Sequence, residues 1–212
     1  MSSDLTKKLE AGIQFEDDSK SADAISIYES IIAYKFQNED EITDETVKAK
    51  EQASYRLAAI FSQLSLFDEL IDLTKMILPM YNDLPKSKSA KIIRTLFDIC
   101  IKFPGRNRYD SLIDLSKFII EWCEKESRSF LRMKIEQKLA ELYFKQQKYN
   151  DSLAVLNKLL YELKKKDDKQ LIVESQLVES KVYHALENLP KAKASLTAVK
   201  TTANSIYVVP ML

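Results

Sequence analysis

Glycine is nearly missing from this chain. Its 212 residues include two, Gly12 and Gly105, where average usage gives about fifteen. They stand 93 positions apart, so neither a glycine-rich phosphate loop nor a dinucleotide fingerprint can be built. A sheet protein with many tight turns would also lack the residue those turns use at positive φ. Histidine and cysteine are equally scarce. One His (His184) and two Cys (Cys100 and Cys123) cannot assemble the usual Cys/His zinc sites or an HExxH pair. With no CxxC, the two cysteines read as small buried hydrophobes in a reducing compartment.

Net charge is missing too. Lys+Arg and Asp+Glu are 32 each, which argues against nucleic-acid binding driven by bulk positive charge. Apolar runs are short: Ile119-Ile120 and their neighbours are broken by charge every few residues, well below the ~20 that span a bilayer. The start, Met1-Ser2-Ser3-Asp4-Leu5-Thr6-Lys7-Lys8, has no hydrophobic h-region. Asn150-Asp151-Ser152 is therefore a chance match to the glycosylation pattern. We expect a cytoplasmic and nuclear location, no membrane association, no cofactor, no bound metal and no enzyme activity. What remains, 45% hydrophobic and 30% charged, is ample for a helical core.

The chain repeats itself. Asp68-Glu69-Leu70-Ile71-Asp72-Leu73-Thr74-Lys75-Met76-Ile77-Leu78 matches Asp110-Ser111-Leu112-Ile113-Asp114-Leu115-Ser116-Lys117-Phe118-Ile119-Ile120 at seven of eleven positions, at an offset of 42. Asp151-Ser152-Leu153 repeats Asp110-Ser111-Leu112 a further 41 on, and Leu156, Lys158 and Glu162 repeat Leu115, Lys117 and Glu121. Weaker copies start at Asp23 and Lys191, so the starts 23, 68, 110, 151 and 191 are spaced 45, 42, 41 and 40.

Each unit reads as two helices. Ile135, Leu139, Leu142 and Tyr143 form one stripe, Gln146-Gln147-Lys148 a turn, and Tyr149, Leu153, Leu156, Leu159, Leu160 and Leu163 a second stripe. Phe103-Pro104-Gly105-Arg106-Asn107 reads as a break, and Pro79, Pro85, Pro190 and Pro210 fall near expected helix ends. Asp167 or Asp168 is placed to cap the helix through Ile172, Leu177 and Val182. Ala58 with Phe61, Ala140 with Tyr143 and Ser180 with Tyr183, each followed six residues later by Phe67, Tyr149 or Leu189, resemble the tetratricopeptide (TPR) pattern. The expected fold is all-α: one right-handed α-solenoid of about five TPR-like antiparallel helix pairs over residues 1–212, since such pairs must stack to bury both faces. Its end at Ser205-Ile206-Tyr207-Val208-Val209-Pro210-Met211-Leu212 reads as a cut at the start of a further helix.

No candidate site for catalysis, cofactor or metal emerges. His184 reads as a polar surface residue, and Trp122, which repeats Leu163 at an offset of 41, as core. Residues 1–50 carry 12 acids and 6 bases, whereas residues 101–150 carry 7 acids and 11 bases. Arg128, Arg132, Lys134 and Lys138 read as a solvated helical face, or as one pole of a bipolar protein-docking surface. No aromatic platform interleaves these bases, so nucleic acid is a distant third reading. The inner positions of the last two units, Gln137, Glu141, Leu177 and Lys181, do not match the Lys and Asn of a chaperone-tail clamp.

Several strings are more specific than a repeat. Glu162-Leu163-Lys164-Lys165-Lys166-Asp167-Asp168-Lys169, Glu174 through Leu186, Asn188-Leu189-Pro190-Lys191-Ala192 and Thr201 through Tyr207 are similar to the non-ATPase subunit 11 family of the 26S proteasome lid. Lys48-Ala49-Lys50-Glu51-Gln52 and Ser129-Phe130-Leu131-Arg132 agree upstream. The resemblance is dense from about residue 124, looser before it, and poor over the first 20 residues. It implies a non-catalytic scaffold with an N-terminal solenoid and a C-terminal PCI domain; the 212 residues, read as the N-terminal arm, depart from the family in having no PCI domain. The implied partners are other lid PCI subunits, the ATPase ring and the α ring of the core particle, with no obligate homo-oligomer. Rival readings are the matching part of the COP9 signalosome or a translation initiation factor, or a nucleic-acid-binding helical repeat.

Overall fold

The computed structural model describes residues 2–17, 20–36, 41–103 and 108–206. The proposed break at Pro104-Gly105-Arg106-Asn107 and the terminal Pro210 lie outside them. The described residues form ten helices and no strand. The chain makes two compact units, Met1–Arg106 and Asn107–Leu212.

The first unit holds α1 (Ser2–Asp17), α2 (Ser21–Ala33), α3 (Asp44–Gln63), α4 (Phe67–Met80) and α5 (Lys86–Lys102). Its core draws on all five helices, with Leu5 and Leu9 supplied by α1. Tyr28, Ile31, Leu57, Leu70, Ile77, Ile92 and Leu96 are fully buried there, which supplies most of the folding drive. Thr43 caps α3: its hydroxyl accepts from the Thr46 N–H at 3.3 Å, and the Thr46 hydroxyl accepts from the Thr43 N–H at 3.0 Å. This is a capping box with Thr in the place usually held by Glu or Gln. Pro79 sits inside the last turn of α4, and Pro85 is the N-cap of α5.

The second unit holds α6 (Tyr109–Lys125), α7 (Ser129–Lys145), α8 (Tyr149–Lys166), α9 (Lys169–Ala185) and α10 (Leu189–Asn204). One core cluster joins Met133, Leu159, Leu160, Leu163, Leu171 and Ile172. A second joins Ala140, Leu156, Val178 and Val182. Small residues sit where helices cross. The Ser152 hydroxyl donates to the Ala140 carbonyl at 2.8 Å, and Ser180 does the same to Ala192 at 3.0 Å. All five repeat starts fall within the first three residues of α2, α4, α6, α8 and α10, so the period of about forty is the period of a helix pair.

The corners explain how the chain manages with so little glycine. Ser65, Ser127, Gln147, Asp167 and Glu187 all have φ between 53° and 63°, each between two helices. Four of these corners share one hydrogen-bond pattern. Leu66, Arg128, Lys148 and Asn188 donate backbone N–H groups to the carbonyls of Phe61, Cys123, Tyr143 and Tyr183, at 2.8–2.9 Å. This is the 6→1 bond of a Schellman motif, ordinarily closed by Gly. It also gives the TPR-like spacing a cause: Phe61, Tyr143 and Tyr183 are the acceptors, and the next helix begins six residues on. Asp167 is a left-handed C-cap of α8, and the Asp168 carboxylate caps α9 by accepting the Leu171 N–H at 3.1 Å.

Candidate interaction surface

The residues around the α7 start and the α8 end make the most organised polar cluster in the second unit. Arg128, buried at the corner before α7, lays its guanidinium 4.5 Å from the centroid of the Trp122 ring. One turn on, Arg132 donates to Glu136 on its own helix at 2.7 Å and to Glu162 on α8. Its side chain is 12% exposed. Burial opposes the Arg132 charge, but the two carboxylates outweigh it and raise its pKa. Burial also pushes the Glu136 carboxyl up, against the pull of Arg132. Glu136 has one buried oxygen, Oε2, without a hydrogen-bond partner among the described residues.

The reading of Arg128, Arg132, Lys134 and Lys138 as a solvated face is therefore corrected at the two arginines. They are structural cations, held by a ring and by carboxylates, because each falls on the side of α7 that turns toward its neighbours. Lys138 pairs at the surface with Glu141 at 3.5 Å. Beside this cluster a groove of about 260 Å³ runs between α6 and α8, floored by Leu139, Ile120 and Val155 and edged by Lys117, Glu121, Glu124 and Lys158.

Two large rings stand outside the core. Phe130 is 68% exposed and Tyr161 64%. Each is covered by a lysine: the Lys166 ammonium lies 5.2 Å from the Phe130 centroid, and that of Lys165 lies 4.2 Å from Tyr161. Lys164, Lys165 and Lys166 form the last turn of α8, where the helix dipole favours cations. Composition drew attention to the cations and passed over the rings. The available signal was register: Phe130 and Tyr161 sit beside Leu131 and Leu160, one position off each buried stripe.

Other residues singled out by the sequence are dispersed. His184 is exposed. Cys100 and Cys123 are buried, and burial pushes their thiols up to about 11 and about 12, which makes them unreactive. Trp122 is 9% exposed, as a core residue should be. Gln137 is buried and Leu177 is 39% exposed, so the clamp positions do not share one open face. Among residues 1–50, Asp4, Glu10, Asp23, Glu29, Asp44 and Glu45 are exposed. Glu16 instead accepts from the Tyr28 hydroxyl and from Arg56, both at 2.9 Å. Among the described residues no group of three His, Cys, Asp or Glu could hold a metal, and no helix is long and apolar enough to cross a membrane.

One buried cation was not foreseen. Lys50 on α3 is 1% exposed. Its ammonium donates to the carbonyls of Ile32 and Tyr34, and lies 4.5 Å from the Phe36 ring and 5.5 Å from that of Tyr81. Burial lowers its pKa to about 8.

This architecture is that of a TPR-like helical-repeat protein. Solved structures agree on the fold. A putative kinesin light chain with nearly identical TPR-like repeats from Podosopora anserina superposes with a TM-score of 0.55 at 14% identity, over 97% of both chains. BtubC from P. vanneervenii gives 0.53 at 13%, over 100% of this chain and 94% of that one. Sequence supplies the family: residues 5–146 match the model of the 26S proteasome regulatory subunit RPN6 N-terminal domain, and the chain belongs to that family. The probable 26S proteasome regulatory subunit rpn6 of Schizosaccharomyces pombe is 40% identical over 89% of this chain and 44% of its own length. The 26S proteasome non-ATPase regulatory subunit 11 homolog of Arabidopsis thaliana is 39% identical over 84% and 42%. The regulatory subunit RPN6 of Saccharomyces cerevisiae is 37% identical over 78% and 38%. The chain thus spans about two-fifths of the length of the curated relatives it matches.

Proposed function

We propose that this chain is a non-catalytic scaffold of the proteasome regulatory-particle lid, helping to tie the lid and the ATPase ring to the core particle. The observation that carries the reading is the family match across residues 5–146 on a fold made of stacked helix pairs, which offers extended surfaces for protein partners. In this reading the partners are other lid PCI subunits, the ATPase ring and the α ring. The protein works in cytoplasm and nucleus without nucleic acid, membrane or an obligate second copy.

The acidic N-terminal stretch is proposed to face the α ring, where it would steer association with a basic patch more than it adds affinity. Deleting residues 1–50 is a poor test, because Tyr28, Ile31 and Ile32 are core. Reversing the exposed carboxylates is cleaner. Tagged full-length protein with Glu10, Asp23, Glu29, Asp44 and Glu45 changed to Lys should still enter the lid. It should recover less core particle than wild type, with the deficit largest at low salt and shrinking as salt is raised. Equal recovery of the core sinks the N-terminal assignment. Failure of the wild-type protein to recover any lid subunit sinks the scaffold reading itself.

A further inference from the structure

We propose that Phe130, Tyr161, Lys164, Lys165 and Lys166 form a docking site for an acidic protein segment that carries apolar side chains between its carboxylates. The proposal stands on these side chains and does not require the proteasome reading. Two strings far apart in sequence, Ser129-Phe130-Leu131-Arg132 and Glu162 through Lys169, come together here. Arg132 clamps them by reaching Glu162 across α7 and α8. Phe130 is two residues from one end of that clamp and Tyr161 adjoins the other, so both rings are displayed from ordered helices.

The charge around them is unbalanced. Glu162 is taken by Arg132, and the Asp168 carboxylate accepts the Leu171 N–H at the α9 cap. Among the described residues no carboxylate lies within ion-pair distance of Lys164, Lys165 or Lys166. A cation over a ring keeps its outward N–H groups available. A partner carboxylate can therefore bind Lys165 or Lys166 in place, while a neighbouring apolar side chain covers the open part of the ring. With a lysine already over each ring, less ring face is left for base stacking, which disfavours single-stranded nucleic acid. Aromatic anchors with a charged surround are the usual composition of a protein hot spot.

The test uses the 212-residue chain and a fluorescent peptide in which Phe and Leu alternate with Glu. Binding is followed by anisotropy and should weaken about tenfold between roughly 50 mM and roughly 300 mM salt. Phe130→Ala with Tyr161→Ala should cost about tenfold or more in affinity while leaving helicity and melting temperature unchanged, since both rings are exposed. Lys165→Gln with Lys166→Gln should weaken binding and flatten its salt dependence. Absence of binding to wild type overturns the proposal, as does undiminished binding to either double variant. So does equal binding of a peptide with Ser in place of Phe and Leu. Tighter binding of oligouridylate or of phosphatidylserine vesicles assigns the patch to another class of ligand and also overturns it. Self-association that disappears in the Phe130→Ala variant assigns it to a second copy, with the same consequence.

Discussion

The Tyr28 ring lies so close to Gly12 that a Cβ at Gly12 would fall 2.7 Å from the ring's Cε1. Tyr28 is fully buried, and its hydroxyl is tied to Glu16, so the ring cannot swing away cheaply. Gly12→Ala should gain about 1 kcal/mol of helix propensity and lose about 1–3 kcal/mol to overpacking. The expected outcome is net destabilisation, read as a lower urea midpoint with unchanged helicity. A raised midpoint would show that α1 and α2 can separate at this crossing.

Lys50 gives the protein a distinctive alkaline response. Its folded pKa, about 8, lies below the ordinary 10.5, so above pH 8 the unfolded chain holds a proton that the folded chain has released. Stability then rises with pH. Above pH 9 the buried thiols of Cys100 and Cys123 act the other way, because their folded pKa values are raised from 9.0 to about 11 and about 12. Tyr28, raised from 10.0 to about 12, adds to the fall above pH 10. The thiols begin to act between pH 8 and pH 9, where the unfolded cysteines start to ionise, so the lysine is read from the difference between wild type and Lys50→Met. The urea midpoint of the wild type relative to Lys50→Met should climb between about pH 8 and pH 9; a difference that does not change with pH would refute the assignment.

Four of the non-glycine corners close a Schellman motif, and each holds its residue at a positive φ that costs a side-chain-bearing residue roughly 1–2 kcal/mol. Glycine removes that strain but adds about 0.5–1 kcal/mol of unfolded-state entropy. Gln147 (φ 63°) makes no backbone-independent contribution to the core, so Gln147→Gly should raise stability by about 0.5–1 kcal/mol. A drop in melting temperature would mean that the Gln side chain supports the corner.

The helical fold was legible because period and composition report on burial directly. The 45, 42, 41 and 40 spacing marks the starts of α2, α4, α6, α8 and α10, and the Leu115 and Leu156 equivalence holds, both fully buried. The polar cluster was not legible. Whether Arg132 is solvated or bridged depends on Glu162, 30 residues away on another helix, and no local pattern encodes that approach. Lys50 was hidden for a related reason: its acceptors are the carbonyls of Ile32 and Tyr34, and every residue has a carbonyl. The same limit shaped the view of glycine. Scarcity of Gly excluded tight β-turns, yet positive φ occurs at five corners on Ser, Gln, Asp and Glu.

Leu156 and Leu115 occupy equivalent sites, so their truncations should behave alike. Leu156→Ala and Leu115→Ala should each cost about 2–5 kcal/mol, the range for buried leucine. His184→Ala, at an exposed position, should stay within about 0.5 kcal/mol. Differential scanning calorimetry on the three variants checks the repeat register, and an unchanged Leu156→Ala transition would show it to be misplaced.

Arg132 offers the sharpest separation between a solvated face and a structural cation. A solvated arginine on a helix contributes within about 0.5 kcal/mol. Arg132 instead bridges Glu136, whose side chain is 8% exposed, and Glu162 on the next helix, 28% exposed. Arg132→Met keeps the unbranched apolar stem of the side chain and its packing but removes the guanidinium, leaving the Glu136 carboxylate buried without its cation. That should cost about 2–4 kcal/mol, a little under the usual penalty for orphaning a buried charge because Glu162 can turn to water. The second variant decides the cause. If the loss comes from the stranded carboxylate, Arg132→Met combined with Glu136→Leu should recover most of it, since an apolar pair of similar volume replaces a partly buried ion pair at little net cost. If the loss comes from missing packing, the double variant should be no better than the single one. A loss below about 0.5 kcal/mol in Arg132→Met would return the residue to the solvated face and remove the bridge that ties α7 to α8 next to Phe130 and Tyr161.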